Sequence, residues 1–216
     1  MRNGSHSFAV QVSSLTTPRG ARYNAGSNSR MGEVQQRYSG AAIALHWTTA
    51  VLILANLLLG LSMVPLPISP RKLQWYMWHK SIGVTIFLLT SLRIAWRAVR
   101  AHPEPVPMPA WQRRAAAASH ALLYLLLIAI PFSGWVYSSA TGVQVVYAGV
   151  LALPDLVPKE KALADALRLV HVALNSLLAT VVCVHVAAAL KHHFVDRDDS
   201  LVRMLPVSGL DRIARS

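Results

Sequence analysis

Cysteine is almost missing from this chain: Cys183 stands alone among 216 residues. An intrachain disulfide framework and a cysteine-only metal cage are therefore excluded. Charge is also scarce, at 14% of residues, against about 25% in soluble domains. Negative charge is scarcest, with 9 Asp+Glu facing 21 Lys+Arg for a net charge of +12. No apolar h-region of a signal peptide opens the chain. What is abundant is apolar residues, at 54%. Such a composition excludes a disordered chain and argues against an ordinary soluble one.

Residues 1–38 are rich in Ser, Asn, Gly and Thr and carry Arg2, Arg19, Arg22, Arg30 and Arg37. They read as a basic, disordered tail. Met31 offers an alternative start that would make 1–30 an extension. Residues 39–195 then hold four long apolar segments, at about 40–64, 75–99, 115–138 and 164–194. A helix of about 20 residues rises about 30 Å and spans a hydrocarbon core, and each segment meets that length. Tryptophans 47, 75, 78, 96, 111 and 135 fall near segment ends, as an aromatic belt does. Pro65, Pro67 and Pro70 close the first segment, and Pro103, Pro105, Pro107 and Pro109 form an extended linker after the second. Pro131 predicts a kink in the third. The third connection, about 139–163, is long and partly apolar, and is expected to cap the bundle; no strand pattern stands out. Residues 196–216 read as a tail.

The basic excess is chiefly a topology signal. Five basic residues precede the first segment, five (Arg93, Arg97, Arg100, Arg113, Arg114) flank the second connection, and five (Lys191, Arg197, Arg203, Arg212, Arg215) end or follow the fourth segment. Only Arg71, Lys72, Lys80, Lys159, Lys161 and Arg168 fall on the other side. The positive-inside rule puts both termini in the cytoplasm. No nucleic-acid motif is present, so nucleic acid is not an expected partner. Membrane lipid is, and a homo-oligomer is compatible with the sequence.

Histidine inside a membrane is costly and needs a reason. His46 lies in AIALHWTTA, His79 in WYMWHKSIG, and His171 and His185 share the fourth segment. The last two are 14 residues apart, so they point within about 40° of one another and lie about 21 Å apart along the axis. They cannot share one metal ion, but they can serve two sites. Depth supplies the partners: His46 and His185 lie about 9 and 12 Å from the cytoplasmic ends of their helices, His79 and His171 about 6 and 10 Å from the outer ends. Two histidine pairs result, one per leaflet. Each suits a macrocycle held by two axial imidazoles, and haem b is the candidate. Zinc is disfavoured for want of further ligands, and haem c is excluded because no C-x-x-C-H is present. His120, at cytoplasmic depth, is an alternative to His46 or His185. His192 reads as an interfacial or quinone-facing residue, His193 as solvent- or headgroup-facing, and Cys183 as a small packing residue. The competing reading is that membrane histidines only bond helices together.

Two six-coordinate haems have no open position for oxygen chemistry and form an electron path across the bilayer. Arg71, Lys72 and Lys80 at the outer end are candidates for drawing in an anion; headgroup anchoring is the plainer role. Arg93, Arg97 and Arg100 share one helical face and are candidates for haem propionates or lipid phosphate.

RYSGAAIALHW, WHKSIGV with Arg93 and Arg97, SHALLYLLLIAIPFSGW, and LVHVALNSLLATVVCVHVAAALKHHFVDRDDSLVRMLP together resemble the prokaryotic cytochrome b-561 family over about 37–207. The resemblance implies an all-α, four-helix integral membrane bundle with two haems b, ligated by His46, His79, His171 and His185. It also implies a place in the bacterial inner membrane and electron exchange between the periplasm and membrane quinone. One activity of such proteins is superoxide oxidation with ubiquinone as acceptor, which makes a superoxide:ubiquinone oxidoreductase the leading expectation. A cytochrome passing electrons between quinone and a soluble periplasmic redox protein is the alternative, and a haem-free transporter or structural membrane protein the remote one.

Overall fold

A computed structural model describes residues 37–100 and 107–206. The expected N-terminal tail lies almost wholly outside the described residues, as do His6, His102, most of the proline linker and the last ten residues. The described chain is four long helices: α1 (Gly40–Met63), α2 (Pro70–Val99), α3 (Ala110–Thr141) and α4 (Lys161–Phe194). All four are long and apolar enough to cross a membrane.

Local chemistry sets the helix ends. Ser39 starts α1, its Oγ accepting from the Ala42 amide at 3.3 Å. Ser69 starts α2, accepting from the Lys72 amide. Pro70 is the first residue of α2 rather than the close of the preceding connection, because a first-turn amide needs no partner and the ring presets φ. α3 likewise begins at Ala110, five residues before the expected start. The proline run stops at Pro109, and the alanine-rich stretch after it favours helix. α3 continues through Pro131 as one helix. Gly142 ends it at φ +75, its amide bonded back to Ser138 and Ser139 carbonyls. Glu160 caps α4 with both carboxylate oxygens, 2.9 Å from the Ala162 amide and 2.7 Å from that of Leu163.

The third connection contains a short antiparallel hairpin, β1 (Val146–Tyr147) with β2 (Leu151–Ala152). Two-residue strands carry too little alternation to be seen in sequence. The connection caps α2 and α3, as expected. Ala148 N–H donates to Ser81 Oγ at 3.1 Å, Tyr147 and Thr85 hydroxyls are 3.3 Å apart, and Trp135 Nε1 donates to the Pro154 carbonyl at 3.0 Å. At the other end of the bundle the chain returns to its start. Trp47 Nε1 donates to the Met204 carbonyl at 2.7 Å, next to a 3-10 turn at Val202–Met204.

α1 packs on α2, α2 on α3, and α3 on α4, whereas α4 makes almost no close backbone approach to α1 or α2. Every helix repeats at seven residues, two turns that return to the same face within about 20°. His46, Ile53 and Gly60 follow one another on α1; His79, Ile86 and Arg93 on α2; His120, Leu127 and Gly134 on α3; His171, Leu178 and His185 on α4. The four middle residues are buried together as the apolar core, with Leu126 and Ile130. The bundle therefore has three levels. A tail layer near the described chain ends holds His46, Arg93, His120 and His185. A middle plug is apolar. A hairpin layer holds Gly60, His79, Gly134 and His171.

Candidate functional site

The two histidine pairs expected from depth are brought together. His46 and His185 have ring centres 6.4 Å apart, and His79 and His171 have theirs 6.3 Å apart. A metal–imidazole bond of about 2.0 Å, with about 1.1 Å more to the ring centre, would place two rings on opposite sides of one ion about 6.2 Å apart. Both pairs show that spacing. They also bridge two helix pairs, α1/α4 and α2/α4, that stand apart instead of packing. These features fit a flat group held edge-in between helices. His120 lies closer to His185, at 5.3 Å between ring centres, about 1 Å short of the axial spacing.

Neighbouring helices shape the hairpin layer. A Cβ on Gly60 would lie 3.2 Å from His79 Cε1, and one on Gly134 would lie 3.0 Å from His171 Cε1. Each glycine thus leaves the room its histidine ring occupies. Ser133 does more. Its hydroxyl donates to the Ile130 carbonyl at 2.8 Å and lies 2.9 Å from His171 Nδ1. The single hydroxyl proton is committed to Ile130, so Ser133 accepts from Nδ1–H. This tautomer leaves the Nε2 lone pair of His171 free for a metal. Gly60, Gly134 and Ser133 escaped the sequence reading, although the fourteen-residue spacing from His46 to Gly60 and from His120 to Gly134 was there to find.

The tail layer is more crowded and more polar. Arg93 lies in electrostatic reach of His46, His120 and His185, with its guanidinium carbon 5.6 Å from the centre of the Tyr124 ring. His46 Nδ1 is buried with no hydrogen-bond partner in the described structure, whereas His79 in the other layer has the Asn56 backbone as a hydrogen-bonding neighbour.

The basic residues at the hairpin end are largely engaged. Lys72 Nζ donates to the Leu66 carbonyl at 2.6 Å and to that of Val64 at 3.3 Å, closing the end of α1. Lys80 Nζ donates to the Val143 carbonyl at 3.1 Å and reaches that of Gln144 at 3.5 Å. Arg71 stacks on Trp75 at 5.6 Å. Cys183 is exposed on the surface of α4 and does not pack in the core, which corrects the sequence expectation. His192 sits past the tail layer, its Nδ1 2.9 Å from Asp196 and 3.0 Å from Asp198 carboxylate oxygens. It thereby anchors the turn that follows α4. His193 is half-buried, its ring beside Phe194.

The family model for prokaryotic cytochrome b561 matches residues 37–207. Among similar proteins, cytochrome b561 homolog 2 of Escherichia coli (strain K12) is 36% identical over 183 residues, covering 82% of this chain and 95% of that protein. The Probable superoxide oxidase CybB of Yersinia pestis is 32% identical over 177 residues, covering 80% and 98%. Cytochrome b562 of Cereibacter sphaeroides is 29% identical over 174 residues, covering 78% and 94%. Four membrane-length helices, histidines facing across them and a match spanning nearly all the described residues lead to one assignment: the chain belongs to the prokaryotic cytochrome b561 family, bacterial membrane proteins that bind haem b and transfer electrons.

Proposed function

We propose that this chain is a two-haem conduit that takes electrons from superoxide in the periplasm and delivers them to ubiquinone in the membrane. The observation that carries the reading is the pair of facing imidazole couples at 6.4 and 6.3 Å, borne by helices that stand apart. His46 and His185 hold one haem, and His79 and His171 hold the other. The tail layer lies on the cytoplasmic side, because the basic residues concentrate at that end. The hairpin layer faces the periplasm. Bound haem would supply a one-electron ferric/ferrous couple.

The residues then have separable tasks. Two imidazoles would hold each iron, and Ser133 holds His171 in the ligating tautomer. Ile53, Ile86, Leu127 and Leu178 keep water out of the space between the layers. In the balanced reaction each superoxide loses one electron to become dioxygen, and two such electrons with two protons convert one ubiquinone to ubiquinol. Superoxide as donor rests on the likeness to the superoxide oxidase relative, at 32% identity. Electron exchange with a soluble periplasmic redox protein is the second reading. The engagement of Lys72 and Lys80 with backbone carbonyls favours it, since it leaves fewer cations free to guide a small anion.

Purified protein in detergent tests both. Superoxide is expected to reduce the haems within mixing time, and ubiquinone to reoxidise them. Reduction by dithionite but not by superoxide would remove the first reading. Recovery of a stoichiometric periplasmic redox partner from native membranes would establish the second.

A further inference from the structure

The two histidine layers differ in what fills their remaining positions. In the hairpin layer these are Gly60 and Gly134, which bring space and no charge. In the tail layer the positions seven residues beyond the middle plug on α2 and α3 are Arg93 and His120. Arg93 has Tyr124, Tyr38 and Arg97 as electrostatic neighbours, and no carboxylate among the described residues pairs with it. Arg97 adds a second positive charge beside His120. The hairpin layer has a cation nearby in Lys80. That ammonium is turned to the Val143 and Gln144 carbonyls and has Asp155 as a compensating neighbour.

Inside a membrane the effective dielectric is low and a fixed charge is felt strongly. Adding an electron to a ferric centre lowers its charge by one. A cation beside one centre stabilises the reduced state there, whether it acts on the iron directly or offsets carboxylates on the macrocycle edge. From this asymmetry, we infer that Arg93, aided by Arg97, gives the tail-layer haem the higher reduction potential, so that an electron entering at the hairpin layer comes to rest at the tail layer. Arg93 is thus a positioning residue for the electron, acting through the iron that His46 and His185 hold. The direction of flow is built into two side chains on α2. The inference rests on the two-haem reading proposed above.

The test is a potentiometric titration of the purified holoprotein, followed by its visible spectrum. Two waves are expected. His79→Ala, which leaves the tail-layer haem, should keep the higher wave, and His46→Ala, which leaves the hairpin-layer haem, should keep the lower. Arg93→Gln should shift the higher wave downward and leave the lower one in place, while Arg93→Lys should largely restore it. Arg97→Gln alters an exposed side chain and spares folding if Arg93→Gln does not accumulate; it should move the same wave in the same direction by less. Lys80→Gln should leave the higher wave untouched. A higher wave retained by His46→Ala, or a lower wave that moves in Arg93→Gln, would overturn the inference while leaving the two-haem reading intact. So would an unmoved higher wave in both arginine-to-glutamine variants. A colourless chain would remove both.

Discussion

The smallest features of the site are the least forgiving. Gly134 leaves 3.0 Å between a notional Cβ and His171 Cε1, closer than packed atoms tolerate, and a branched side chain could not be accommodated without displacing the ring. Gly134→Val is therefore expected to lose the hairpin-layer haem and keep the other, halving the haem per chain in a pyridine haemochrome assay. The ligand assignment has its own check in the same assay. His46→Ala or His185→Ala should each cost one haem and His120→Ala none; loss in His120→Ala with retention in His46→Ala would transfer the axial role to His120. The four expected ligands were legible in sequence because a helix turns position into depth and direction, and a histidine in lipid is conspicuous. Gly60, Gly134 and Ser133 were not, because a glycine or serine in a membrane helix is ordinary until the partner helix is known.

Helices in a bilayer gain nothing from hiding apolar surface from lipid, so fit between side chains has to hold them. The middle plug is closely fitted, with Leu178 only 3% exposed. Leu178→Ala opens a hole there. It is expected to destabilise the bundle by about 2 kcal/mol, the low end of the cost of such truncations, read as a lower midpoint of thermal haem release. The chain beyond α4 is held differently. The carboxyl group of Asp198 loses some solvation by partial burial, which opposes ionisation. Hydrogen bonds from Ser200 and the nearby His192 outweigh this and hold it below the usual carboxylate range. A depressed folded value means its contribution is complete above the ordinary carboxylate pKa and is lost as pH falls through the lowered one. Acidification, or Asp198→Asn at neutral pH, should thus loosen the turn that carries Met204 to Trp47, seen as faster hydrogen exchange of the 203–205 amides, which are bonded at neutral pH. Element ends were read from sequence within a few residues, apart from the starts of α2 and α3, each five residues earlier than expected because the prolines before them were read as connection. The hairpin was too short to leave a periodic trace.

The four-helix bundle is a pair of histidine layers separated by an apolar partition, and its sidedness would give the layers their roles. A phosphatase fused to the C-terminus should be inactive, and a fluorescent protein fused there bright, if the basic end faces the cytoplasm; the reverse result would exchange donor and acceptor sides. Amino-acid order alone determined the membrane class, the four spans, the orientation expected from their flanks and the imidazoles facing one another. All of these follow from helix length, charge placement and a fixed rise per residue, which are one-dimensional properties. Only the tertiary structure decided which helices stand apart, that glycines make room on one side, and that an arginine occupies the matching place on the other. Those depend on the rotation of each helix about its axis, and that is set by how side chains from neighbouring helices interlock.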